Sequence, residues 1–304
     1  MRADQKLGSH MLEILRRGVA TRPYRAVLPE MAETVGVSRA SVSREASEEE
    51  LRRLGERRLQ ALDLLIIYLD GVIFGDHHVL VAVGVDEEGK KHVLGVAEGA
   101  SENQVVAKGL LEDVVRRGVR TDPKYLFVID GSRALRAAID AVFGAENAVQ
   151  RCRHHKIENV RGYLPEHLKD QTQAAMRAAF RLPAREGLAR LEKQAEWLAR
   201  EYPSAAASLR EGLTEMFTVS RLGLSPSWAR GLVSTTLIES PHSGVRLRPR
   251  RVCRWRDGKM VRRWAAAALL RTAQNFRKIM GYRDLWMLKA ALDQKGVLVQ
   301  QEVA

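Results

Sequence analysis

The sequence predicts an α/β protein built on a mixed five-stranded sheet, and three observations carry that prediction. Two apolar runs, LLIIYLDG and YLFVIDG, end alike in an Asp followed by Gly. Between them lie two more strand-like runs joined by the turn Glu87-Glu88-Gly89-Lys90. Beyond these, helical and strand patterns alternate as far as Arg151. Three strands in hairpin succession followed by alternating helices and strands describe a mixed sheet.

Residues 1–60 come first and are polar, basic and helical in pattern. Within them MAETVGVSRASVSREASEEEL (residues 31–51) reads as helix, turn, helix, with the motif itself at about 29–47. Ala32 and Val35 face inward, Gly36 makes the turn, and Ser38 caps a second helix containing Val42. Ser38, Arg39, Ser41, Ser43 and Arg44 then line exposed faces, with side chains suited to phosphates and base edges in a major groove. An ordinary helical hairpin would read the same way.

From Leu62 the pattern predicts strands at about 62–69, 78–85 and 92–98, a helix over 103–117, a strand at 125–129, a helix over 132–142 and a strand at 148–151. Residues 153–232 then lose all strand character. They are rich in Ala, Leu, Arg and Glu and broken at Pro165, Pro183 and Pro203, which reads as an all-helical block. The remainder, 233–304, holds STTLIESPHSG, a basic stretch, and a helix predicted from about Met260 to Met280. Four segments follow: 1–60, 61–152, 153–232 and 233–304.

Charge narrows the partners. The 304 residues carry 50 Lys and Arg against 37 Asp and Glu, a formal net charge of +13. Such a balance points to a polyanion, and nucleic acid leads. No apolar run approaches the length of a membrane span, and no signal-peptide core is visible. Cys152 and Cys253 are the only cysteines, which gives no disulfide framework and suits a reducing cytoplasm.

Asp70 and Asp130 are the chemical candidates. A carboxylate at the carboxyl end of a buried strand sits where open α/β sheets bind ligands. Two such strands side by side would bring together hard oxygen donors of the kind Mg2+ takes. Each Asp could also simply cap the turn that follows it. A third carboxylate, Glu239, stands in STTLIES, where Thr236 and Glu239 have the spacing of a capping box. Local sequence favours the cap there.

YLDGV, VIDGSRALRAAI, QRCRHHKIENV, the TTLIES helix start and RWRDGKMVRRWAAAALL together resemble the mutator-type transposases of bacterial insertion sequences. The motifs run in order from about Leu62 to Leu285. The resemblance implies a ribonuclease H-like fold with a DDE triad, in which Asp70 and Asp130 are the aspartates and Glu239 the glutamate. It implies that the block at 153–232 is a helical insertion ahead of that glutamate. Two Mg2+ ions, replaceable by Mn2+, would be held by the triad for cleavage and strand transfer at the ends of the element. The partners implied are double-stranded DNA, both terminal inverted repeats and target, and a second copy of the chain on that DNA. The protein would then be bacterial, cytoplasmic and nucleoid-associated.

Arg246, Arg248, Arg250, Arg251, Arg254, Arg256, Arg262 and Arg263 follow Glu239 and suit backbone phosphates. Cys152 and His155 form a Cys-x-x-His pair that the family also shows; two ligands do not make a zinc site, so a structural or DNA-positioning role is expected. Leu188, Leu191, Ala195 and Leu198 recur at helical spacing and could fill the insertion's own core or contact a second copy. Thr236 stands where the family commonly has Asn, and the amino-terminal region is shorter than usual, so a truncated copy is one expectation. A non-catalytic DNA-binding protein and a ribonuclease H-like nuclease are the competing functions.

Overall fold

Side chains alternate in direction along a strand, so a sheet whose strands are apolar at every position must be covered on both faces. A computed structural model describes residues 39–74, 77–100, 103–224, 232–233 and 257–302, with the backbone alone at 39–46, 74 and 295–302. The strands are β1 (Leu64–Phe74), β2 (His77–Asp86), β3 (Lys91–Glu98), β4 (Leu126–Ile129) and β5 (Ala148–Arg151). They lie in the order β3-β2-β1-β4-β5. β1 pairs antiparallel with β2 and parallel with β4, and β5 continues the parallel half. The mixed five-stranded sheet is therefore present.

Ile66, Tyr68, Val72, Leu126 and Val128 belong to one core, shared with Leu54 of α1 (Arg39–Glu56), Val261 and Ala265 of α9 (Gly258–Ala273) and Leu285 and Leu288 of α10 (Leu285–Glu302). Ile67, Leu69, Phe127 and Ile129 belong to the opposite core, closed by α2 (Gln104–Arg116) and α3 (Arg133–Phe143). Each fully buried Leu or Ile contributes about 1.5–3 kcal/mol through lost water contact. The hydrophobic effect thus fixes the register, because a one-residue slip would exchange the faces.

β1 corrects the strand end predicted at about residue 69. The strand runs on to Phe74, paired with β2 down to Phe74↔His77. Only its parallel partner stops early: the last rung with β4 is Leu69↔Ile129. The second Asp-Gly does turn, with Gly131 at φ +112 in the left-handed region.

The helical block consists of α4 (Arg153–Gly162), α5 (Glu166–Ala179), α6 (Ala184–Leu198), α7 (Pro203–Arg210), a 3-10 turn (Thr214–Phe217) and α8 (Thr218–Arg221). Pro165 and Pro183 sit at N-caps and Pro203 at the first helical turn, where a missing N–H costs nothing. The block has its own core, in which Leu191, Ala195 and Leu198 are fully buried and Leu188 packs against them. Leu191, Ala195 and Leu198 thus fill the block's own interior, the first of the two alternatives, and Leu188 remains partly exposed. The block returns to the sheet by covering β5. Gln150 Nε2 donates to Met216 O (3.0 Å), Val219 N donates to Gln150 Oε1 (3.0 Å), and Thr218 Oγ1 donates to Val149 O (2.6 Å). An edge strand that would otherwise offer open backbone groups is closed.

The helix predicted over 260–280 starts at Gly258, capped by Asp257, whose carboxylate accepts from Met260 N at 2.7 Å. It ends at Ala273, seven residues early, because the chain turns to dock on the β2–β3 turn. Ile279 N donates to Gly89 O at 3.0 Å, and Gly281 takes a left-handed φ of +72 before α10. Among the described residues no helix is long and apolar enough to cross a membrane.

Candidate functional site

The site begins with sheet register. Ile66 pairs with Leu126 and Tyr68 with Val128, so Asp70 and Asp130 each stand two residues further along the same face. The rung just before them, Leu69↔Ile129, joins strands one spacing apart, about 4.8 Å. Asp70 is 3% exposed and Asp130 is half-buried. Backbone amides fix one oxygen of each carboxylate: Gly71 N donates to Asp70 Oδ1 (3.0 Å) and Ser132 N to Asp130 Oδ1 (2.9 Å). The second bond is an Asx turn at the head of α3, made possible by the positive φ of Gly131.

β5 supplies the third neighbour. Arg151 pairs with Ile129, and Cys152 N donates to Ile129 O at 2.7 Å, so Cys152 follows at the level of Asp130. Its side chain is fully buried at the N-cap of α4. His155 lies one helical turn on. The hydrogen bond with Cys152 is the main cause that pushes the His155 pKa up to about 9, against burial, with the charges of Cys152, Asp70 and Asp130 adding to it. The imidazole is therefore an electrostatic neighbour of both carboxylates.

Two arginines that the sequence did not single out hold this corner together. Arg151, buried, donates to Gly131 O (2.6 Å) and pairs with Glu215, linking the turn after Asp130 to the helical block. Arg153 donates to Met216 O and Phe180 O, both at 2.9 Å, and lies over the rings of Phe180 and Phe217. Burial lowers the Arg153 pKa to about 10. Its own N–H donates to Val233 O at 3.0 Å, so the chain leaving the helical block comes back beside the start of α4. Both lie in the QRCRHHKIENV motif, but nothing local to that motif assigns them a role; only the meeting of β5 with the block does.

Glu239 lies outside the described residues, as do Ser38, Arg246, Arg248, Arg250, Arg251, Arg254 and Arg256. Arg39, Ser41, Ser43 and Arg44 fall in the first two turns of α1, where the backbone alone is described, so the first helix of the expected helix-turn-helix is also outside. Arg262 is exposed on α9. Arg263 is not free for phosphate, since its Nη1 donates to Glu48 Oε1 of α1 at 3.1 Å. Trp264 is half-buried and Trp255 lies outside the description. Among the described residues no group of three or more His, Cys, Asp or Glu side chains could hold a metal ion. Asp70 and Asp130 nonetheless offer adjacent hard oxygen donors, the type a divalent cation such as Mg2+ takes.

Relatives agree with the motifs. The chain is 33% identical over 230 residues to the transposase for insertion sequence element IS406 of Burkholderia multivorans, covering 72% of this chain and 58% of that one. It is 30% identical over 177 residues to the transposase for insertion sequence element IST2 of Acidithiobacillus ferrooxidans, covering 57% of each. Over 298 residues it is 27% identical to the transposase for insertion sequence element ISRM5 of Rhizobium meliloti, covering 93% of this chain and 72% of that one. The chain thus matches a little over half the length of the first two relatives. A family model described as "Transposase, Mutator family" matches residues 1–278. The chain belongs to the Mutator family of transposases.

Proposed function

We propose that this chain is a DNA transposase of ribonuclease H-like fold that cuts and joins DNA phosphates through Asp70, Asp130 and Glu239. The observation that carries the reading is that Asp70 and Asp130 each directly follow the last paired residues, Leu69 and Ile129, of the adjacent parallel strands β1 and β4. Asp70, Asp130 and Glu239 would hold two Mg2+ or Mn2+ ions, which supply Lewis acidity at the attacked phosphate when bound. The amides of Gly71 and Ser132 hold the two aspartates in orientation before any ligand arrives, so little is lost in ordering them. His155 and Cys152 act as positioning residues: the buried Cys152 anchors the imidazole beside both carboxylates. The hydrogen bond from Arg153 N to Val233 O holds residue 233, six positions before Glu239 in the sequence, beside the start of α4.

DNA affinity comes from the basic residues, with Arg246 to Arg256 and Arg262 on backbone phosphates and Ser38 to Arg44 on sequence. Two element ends joined to one target need two active sites, so the working complex holds two copies of the chain.

The test is a cleavage and joining assay with Mg2+ or Mn2+ on duplexes carrying the element's terminal repeats. Asp70→Ala, Asp130→Ala and Glu239→Ala should each remove activity while leaving duplex affinity nearly intact. Activity that survives the triple substitution sinks the proposal. Binding without cleavage by the wild-type chain would indicate a regulator, and cleavage without end preference a nuclease.

A further inference from the structure

A second surface stands at the other end of the sheet from the carboxylates. The segment 277–289, RKIMGYRDLWMLK, holds Arg277, Lys278, Arg283 and Lys289 against the single acidic residue Asp284. Lys289 pairs with Glu87 at 2.6 Å. Arg277, Lys278 and Arg283 are exposed, and none of the three makes an ion pair with a carboxylate among the described residues. Lys278 Nζ lies 4.5 Å and the Arg283 guanidinium 5.9 Å from the centre of the Tyr282 ring. Beside them Trp286 is 67% and Met280 76% exposed.

This patch is held in place. Ile279 is 2% exposed and bonded to Gly89 O, while Leu285 and Leu288 are buried in the core beneath the sheet. Gly89, at φ +79, lets Tyr282 pack directly on the β2–β3 turn, where any Cβ would overlap the tyrosine's own. An indole left mostly in water on an anchored helix, in a segment that also exposes three cations with no carboxylate partner among the described residues, has the make-up of a nucleic-acid stacking platform. A purely apolar partner would leave those cations desolvated and unpaired, which disfavours a hydrophobic interface.

We infer that Trp286 with Arg277, Lys278 and Arg283 binds single-stranded DNA that leaves the duplex near the reacting phosphate. The inference rests on the transposase reading for the strand's origin. The separation sets a length. The β2–β3 turn lies beside Leu64 and Asp70 is six residues along β1, about 20 Å away. At about 3.4 Å per nucleotide if the strand stays stacked as in a duplex, roughly six nucleotides join the two sites, and fewer suffice where it is extended. Base stacking on Trp286 would supply attraction without sequence preference, and the cations would follow the backbone.

The experiment uses the full chain and three fluorescent probes: a blunt duplex, the same duplex with a tail of about one thymidine, and one with a tail of about twelve. Wild-type affinity should rise only with the long tail. Trp286→Ala should weaken long-tail binding by roughly 5- to 150-fold and leave the blunt duplex unchanged. The double variant Arg277→Ala/Arg283→Ala should flatten the log K against log salt slope for the long tail by about 1.4. Equal loss on blunt and tailed probes overturns the single-strand assignment. Unchanged binding together with a smaller light-scattering mass for Trp286→Ala overturns it in favour of an interface between copies. Wild-type chain that binds no DNA defeats the transposase reading itself; wild type that binds the blunt duplex but gains nothing from the tail defeats only this inference.

Discussion

Asp130 and Cys152 stand side by side at the carboxyl ends of β4 and β5, because Cys152 N donates to the carbonyl of Ile129, the residue just before the aspartate. The Cys-x-x-His pair therefore belongs to the same row of strand ends as the two carboxylates. Asp70 extends that row on β1, and His155 faces it from the first turn of α4. Sheet register, rather than any contact specific to the motif, brings the four residues together.

Changing this pair should separate positioning from DNA binding. Cys152→Ala and His155→Gln are expected to lower cleavage about 10- to 100-fold while duplex affinity stays within twofold, as for residues that orient the groups doing chemistry. Cleavage rates and anisotropy titrations on the same preparations check this. Equal losses in both would assign the pair to DNA binding instead. In a Cys253→Ser background, the fully buried Cys152 should react with a thiol reagent only as the protein unfolds.

Gly212 should tolerate no side chain. Its φ is +61, and a Cβ there would overlap the Arg151 guanidinium, which holds Gly131 O and Glu215. Gly212→Ala is expected to cost about 1–3 kcal/mol in urea unfolding. It should also slow cleavage, because the turn behind Asp130 loses its brace. An unchanged midpoint would show that Arg151 can move aside freely.

Lys156 gives a pH signature. It is 2% exposed, donates to Ser208 O at 2.6 Å, and burial lowers its pKa from 10.5 to about 8, with Glu211 opposing the shift. In the unfolded chain the amine keeps its proton up to 10.5, so between pH 8 and 10.5 the unfolded state binds more protons. Stability attributable to this residue should therefore rise across that window, by about 3 kcal/mol at most. Lys156→Met should remove that rise, read as the difference between wild-type and variant unfolding free energies at pH 7.5 and pH 10. A variant with the same slope as wild type would locate the proton elsewhere.

The helical block should respond as a core. Leu191 is fully buried beside Ala195 and Leu198. Leu191→Ala is expected to destabilise by about 2–5 kcal/mol through loss of burial and the cavity left behind. The mass of the protein–DNA complex should not change. A folded variant whose complex halves in mass would restore the block as a contact between copies.

Arg262 and Arg263 are adjacent in sequence but should differ in effect. Arg262→Gln, on an exposed side chain, should reduce the salt slope of duplex binding by about 0.9. Arg263→Gln should leave that slope unchanged, since its guanidinium is already paired with Glu48. Its cost should be small, roughly 0–1 kcal/mol of stability for a pair reaching solvent on the Glu48 side. Salt titrations of both variants distinguish the two.

Much of this architecture was legible in the residues themselves. Continuous apolar runs announced buried strands, prolines marked the helix starts at 166, 184 and 203, and alternation placed Asp70 and Asp130 on one face once their strands were adjacent. Periodicity and turn chemistry are local properties, so they survive in a linear reading. What escaped that reading were facts about termination and docking. β1 passes Asp70 because its hairpin partner is longer than its parallel partner, and no residue near Gly71 encodes the length of β4. The helix after Asp257 ends early because Ile279 must reach Gly89, nearly two hundred residues away in the chain. Leu191 could have faced a second copy or its own block until the packing of α5, α6 and α7 assigned it to the interior. Arg151 and Arg153 gained their roles only where β5 met the returning helices. Hydrophobic pattern determines which surface of each element is buried; only the assembled tertiary structure decides against what.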